Sequence, residues 1–187
     1  MYRWPEGEDM PRFHATVGSR RPADETFDYL AVFSNAADWD PGVVAGAQLD
    51  RGPVGAGTRF RLEVPFLGRR MTLTYKVVRF VPGREVLLTA TSGVLRSTDR
   101  IVVTGGADDS VVSYAAEVRL RGPLRVLDPF LRPGFRRVAE RAVAGLTPAL
   151  SGPPLRPGRT APSGTPSPSG GAAGGSGGAA GGPERAP

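Results

Sequence analysis

Cysteine is absent from the chain, histidine and lysine each occur once (His14 and Lys76), and aromatic residues make up only 7% of it. Without cysteine there is no disulfide, no thiolate nucleophile and no Cys-ligated zinc, which suits a reducing compartment. With His14 as the only imidazole, a Ser-His-Asp triad must use it, and a multi-histidine metal site is excluded. His14 stands in an alternating run between Phe13 and Ala15, where the period puts it on the polar side of a strand. No run approaches the roughly 18 apolar residues of a membrane span, and the first residues hold no signal-like apolar stretch, so the expected location is the cytoplasm. No metal and no cofactor is expected.

The net charge is +6, with 24 basic against 18 acidic residues. All the basic residues but Lys76 are arginines, spread among abundant Ala, Gly and Pro. No aromatic-interleaved basic motif accompanies them, so no nucleic-acid partner is expected. Composition changes sharply near residue 150. From Ser151 to Pro187 the chain has 11 Gly, 8 Pro, 6 Ala and 5 Ser among 37 residues, with Leu155 its only large aliphatic. Such a segment buries too little apolar surface to offset its conformational entropy. The expected organisation is a flexible extension over residues 1–10, with Met10 an alternative start, then one domain over 11–150 and a disordered tail over 151–187.

Within the domain, "RFHATVGS" alternates as a strand. Pro22, Asp24 and Glu25 then mark a helix start, with Phe27, Leu30, Ala31 and Ser34 on its apolar face. Asn35 reads as the cap of a second short helix, closed by Asp40-Pro41-Gly42. From Val43 to Gly122 six alternating runs follow, separated by Gly, Pro and Asp turn signals, as in an antiparallel meander. The last element, "FRRVAERAVAGL", has the period of a helix, with Phe135, Val138, Ala139, Ala142, Val143 and Leu146 on one face. Pro129 and Pro133 are expected to kink or split it, and Pro148 with Gly152 to end it.

The order is strand, helix, short helix, six strands, long helix, an α+β layer. With "RPADETFDYLAVFSNAADWDPGV", "GPVGAGTRFRLEV", "GRRMTLTYKVVRFVPGREVLLTA" and "RLRGPLRVLDPFLRPGFRRVAERAVAGL" in sequence, residues 11 to 150 resemble the SRPBCC superfamily, also called START-like or Bet v 1-like. Within it the resemblance is to the polyketide cyclase/dehydrase and lipid-transport group. It implies a helix-grip fold: a seven-stranded curved antiparallel sheet, two short N-terminal helices and a long C-terminal helix over a cavity. "GPVGAG" is not a dinucleotide loop, because the third glycine is missing and a strand follows where a helix is required.

The apolar faces of the strands, Phe60 and Leu62, Met71, Leu73 and Tyr75, Val86, Leu88 and Ala90, Tyr114 and Ala116, should converge beneath Phe135, Val138 and Ala142 of the last helix and line that cavity. Trp39 reads as a plug at one end of the sheet, or as a stacking residue at the cavity mouth. Ser97, Asp99, Ile101 and Val103 share one side of their strand. If Ile101 and Val103 face inward, so does Asp99, and desolvation would raise its pKa into a range useful for proton transfer; otherwise Asp99 and Arg100 belong to an exposed ladder. Asp99, Tyr75 and Tyr114 are thus the candidate acid-base residues. Three functions stand open: binding of a small hydrophobic, lipid- or polyketide-like molecule; a cyclase, aromatase or dehydratase that works on such a molecule; and a surface protein using Arg132, Arg136, Arg137 and Arg141 of the last helix.

Overall fold

The computed structural model describes residues 12–66 and 68–151, and within that range leaves out the side chains of 12, 124, 125, 127–133 and 135. The extension expected over residues 1–10 and, but for Ser151, the tail expected over 151–187 lie outside the described residues. Seven strands run in the order expected: β1 (Arg12–Ser19), β2 (Ala45–Gln48), β3 (Arg59–Phe66), β4 (Arg69–Val81), β5 (Glu85–Thr91), β6 (Leu95–Gly105) and β7 (Ser110–Leu120). All pair antiparallel in the order β1-β7-β6-β5-β4-β3-β2, so the meander is continuous and β1 closes onto β7. Short hairpins make this possible. Gly83 takes φ +67 in the β4–β5 turn and Gly68 takes φ +76 in the β3–β4 turn, a region open to glycine at no steric cost.

Three helices lie against this curved sheet: α1 (Ala23–Ala31), α2 (Ala36–Trp39) and α3 (Asp128–Ser151). α1 ends sooner than its apolar period suggests, because Val32 turns to ψ 81 and a 3-10 turn over Phe33–Asn35 leads into α2. Ser34 therefore belongs to that turn. Asn35 precedes α2 without capping it through its side chain; its Nδ2 instead donates to the Tyr29 carbonyl at 2.8 Å. That bond folds the turn back on α1 and seats Phe33 against Phe60 and Tyr75. Gly46 permits the approach of β2, since a Cβ there would strike the Ser34 backbone.

The long helix departs from expectation in extent and in its buried stripe. It is one helical run through Pro133 and Pro148, neither split nor ended by proline, and it includes Ser151, which the sequence assigned to the tail. Its buried residues are Ala139, Ala142, Leu146 and Leu150, spaced by three and four as one helix face requires. Val138 lies at the margin of that stripe and is 46% exposed. The end of the helix is held by the end of β1 and the turn after it: Arg21 Nε donates to the Leu150 carbonyl at 3.1 Å and Ser19 Oγ at 3.3 Å. A guanidinium placed there satisfies an orphan carbonyl and complements the negative end of the helix dipole.

The packing is uneven along the sheet. At one end, Ile101, Val103 and Val112 are buried under α1, and Phe27 reaches Phe80 at 5.5 Å. Phe80 faces that core because β4 slips register between Val77 and Arg79, a bulge that exposes Val78 and moves the inward positions from odd to even numbers. At the other end, where β6 begins and β7 finishes, Leu95 pairs with Leu120 and Ser97 with Val118. There the space is not filled.

Candidate functional site

The unfilled end is a cavity of about 320 Å³. One wall is β3 and β4, with Val64, Phe66, Met71 and Leu73; the floor is Leu95, Ser97, Val118 and Leu120; Gly134 and Val138 of α3 form the roof, and Asp40, Gly42 and Val43 the rim after α2. Of the positions expected to line it, Met71, Leu73 and Val138 do so. Phe60, Leu62, Tyr75, Val86, Leu88, Ala90, Tyr114, Ala116 and Ala142 are buried in the core beside it rather than on its wall. Phe135 lies outside the residues whose side chains are described. Alternation told which face each strand buries, but not which stretch of that face the helices leave uncovered.

Asp99 faces inward with Ser97, Ile101 and Val103, and is 4% exposed. Tyr114 donates its hydroxyl to Asp99 Oδ1 at 2.6 Å, and Ser97 donates to Oδ2 at 3.1 Å. The buried Tyr75 hydroxyl is close enough to the same carboxyl to favour its charged form. The sheet makes this constellation. Asp99 pairs with Ala116 of β7, and Tyr114, two residues earlier on the same face, reaches it diagonally. Ala116 is small enough to leave room for the ring. Burial pushes Asp99 up from 3.8 to about 6, against the pull of the donors from Tyr114, Ser97 and Tyr75. Burial, and then the Asp99 charge, hold the Tyr75 and Tyr114 hydroxyls well above the usual tyrosine range, so both stay protonated donors.

Two neighbours were not foreseen as part of the site. Ser97 is on the cavity floor and is bonded to Asp99, so it connects the cavity to the buried carboxyl. Asp40 stands on the rim, with Oδ1 accepting the Gly42 N–H at 2.7 Å; burial raises its pKa too, and its charge adds to the upward push on Asp99. The Asp-Pro-Gly turn signal was legible, but nothing in it says that the Asp faces a cavity. Trp39 is a packing residue: it is 4% exposed, meets Tyr114 edge-on at 6.0 Å, and does not line the cavity. His14 is exposed on β1. On α3, Arg136 pairs with Glu140 at 2.8 Å, while Arg137 and Arg141 are exposed and Arg132 lies outside the described side chains. Among the described residues no helix is long and apolar enough to cross a membrane.

The family described as "Polyketide cyclase / dehydrase and lipid transport" matches residues 10–150. No curated protein matches the chain in sequence. Among solved structures, a START superfamily protein from Mycobacterium smegmatis superposes with a TM-score of 0.61 at 15% identity, over 74% of this chain and 96% of that one. The Zhui aromatase/cyclase from a Streptomyces species gives 0.60 at 19% identity, over 76% and 92%. The di-domain ARO/CYC protein BexL gives 0.56 at 17% identity, over 73% of this chain and 45% of that one. At such identities the likeness is one of fold, and that fold is the helix grip.

Proposed function

We propose, for a chain that belongs to the polyketide cyclase/dehydrase and lipid-transport family, that its cavity holds a small hydrophobic molecule, lipid- or polyketide-like, between the sheet and α3. The observation that carries this reading is the 320 Å³ space itself, walled by Met71, Leu73, Leu95 and Val118 and opened towards α3 where Gly134 has no side chain. Volumes of roughly 300–1,000 Å³ with apolar walls and a few convergent polar groups are those of small-molecule sites. Native mass spectrometry of gently purified protein tests it. A bound species of discrete added mass, lost on organic extraction, is the expected result; a protein that is always empty, even after incubation with lipid extract, would count against it.

A second reading, proton-transfer chemistry on the held molecule, is favoured by one observation: the inward carboxyl of Asp99 lies 2.6 Å from the Tyr114 hydroxyl and one hydrogen bond behind a cavity hydroxyl. A carboxyl with a pKa of about 6 exchanges protons near neutrality. In this reading Ser97 receives the proton of a ligand enol or hydroxyl and passes its own to Asp99, and the reverse transfer protonates the ligand elsewhere. This is the chemistry that enolisation, cyclisation and dehydration of a polyketone require. Asp99→Asn is then expected to abolish turnover of a poly-β-ketone surrogate while leaving its affinity within about threefold. Unchanged turnover would confine the site to binding.

A further inference from the structure

The cavity has acids on its walls and, among the described residues, no base. Its polar side chains are Asp40 on the rim and Ser97 on the floor, with the Asp99 carboxyl directly behind Ser97. Asp99 is supplied with hydroxyl donors. Asp40 is not: Oδ1 accepts one backbone N–H inside its own turn. The arginines that form ion pairs in the described structure pair with Glu25, Asp50, Glu63, Glu85, Glu117 and Glu140, never with Asp40 or Asp99. Among the described residues no cation faces this half-buried carboxylate, which stands beside an apolar space with a second carboxyl nearby. A cationic group on the ligand can supply the compensation.

We infer that the cavity selects apolar molecules whose polar end is a protonated amine, takes neutral ones less well, and rejects those that end in a carboxylate. This rests on the cavity-binding reading and adds to it the sign of the charge recognised. An ammonium entering past Gly42 meets Asp40 at the rim while its apolar body lies along Met71, Leu73 and Leu95. A carboxylate in the same pose meets two like charges with no counter-ion, and like-charge juxtaposition in a site of low dielectric discriminates strongly. The selectivity runs against the overall charge of the protein, which at +6 would attract anions; a preference for amines therefore reports the local wall.

The test uses decylamine, decanol and decanoate, each below its micellar concentration, to displace an apolar fluorescent probe from the full chain at about pH 7.5. Decylamine is expected to displace at concentrations at least about tenfold lower than decanoate, with decanol between. Asp40→Asn keeps the acceptor for Gly42 and removes the charge, so it should draw amine and carboxylate to within about threefold of each other. Equal displacement by all three, displacement by none, a preference for decanoate, or a gap unchanged in Asp40→Asn would each overturn charge selectivity while a bound probe left the cavity reading standing. Failure of the probe itself to bind would overturn both.

Discussion

Asp99 is a buried carboxyl whose burial works against folding. Its folded pKa of about 6 lies above the ordinary 3.8, so between those values the folded protein holds more protons than the unfolded chain. Stability must then fall as pH rises through that window, and the loss, on the order of 3 kcal/mol, is complete above about pH 6. A core evolved only for stability would place an apolar residue there. Asp99→Asn has no such titration. The difference in unfolding free energy, variant minus wild type, is therefore expected to rise by about 3 kcal/mol between about pH 3 and pH 7.5, measured from urea midpoints; other groups cancel in the difference. A flat difference would mean that the carboxyl is solvated in the folded state. The inward position of Asp99 was legible in the sequence, because Ile101 and Val103 share its parity. The roles of Ser97 and Asp40 were not, since a serine on a strand and an aspartate before Pro-Gly have ordinary structural readings everywhere.

At the scale of elements, strand alternation was legible most closely over RRMTLTYKVVRFV and EVLLTAT, which are β4 and β5, and least over VVAGAQLDR, of which only Ala45–Gln48 form β2. What alternation could not show was the bulge at Val78, which reverses inward parity within one strand, or the depth of α3, whose buried stripe ends on Leu150 rather than at Pro148. The helix contains a sharper signal in its glycines. At Gly145 a Cβ would collide with the Trp39 carbonyl, so α2 and α3 touch backbone to backbone, whereas at Gly134 a Cβ meets nothing within 4 Å. Glycine to alanine in a helix interior ordinarily stabilises by roughly 0.5–1 kcal/mol. Gly134→Ala is expected to do so. Gly145→Ala should instead cost about 1–3 kcal/mol through overpacking. Paired thermal melts decide it, and stabilisation by both changes would show that α2 and α3 are not in close contact.

The whole molecule is a sheet filled at one end and left open at the other. Phe27 and Phe80 meet where α1 covers the strands, whereas the end reached by Val64, Met71 and Leu95 has one described ring, Phe66, and that ring lies on the cavity wall. The resemblance to helix-grip proteins implied an internal space but not its place, which depends on where two helices cross seven strands. That placement matters for testing. Ala142, expected to face the cavity, is buried in the packed stripe at 3% exposure, so a tryptophan there would overpack the core and report on folding rather than binding. Gly134 faces the open space. The most direct measurement is therefore a titration of wild type and Gly134→Trp with an apolar fluorescent probe, alongside their melting temperatures. A sheltered ligand cavity predicts about micromolar binding by wild type, at least about tenfold weaker binding by Gly134→Trp, and melting temperatures within a few degrees; no binding by wild type, or equal binding by a well-folded Gly134→Trp, would contradict it.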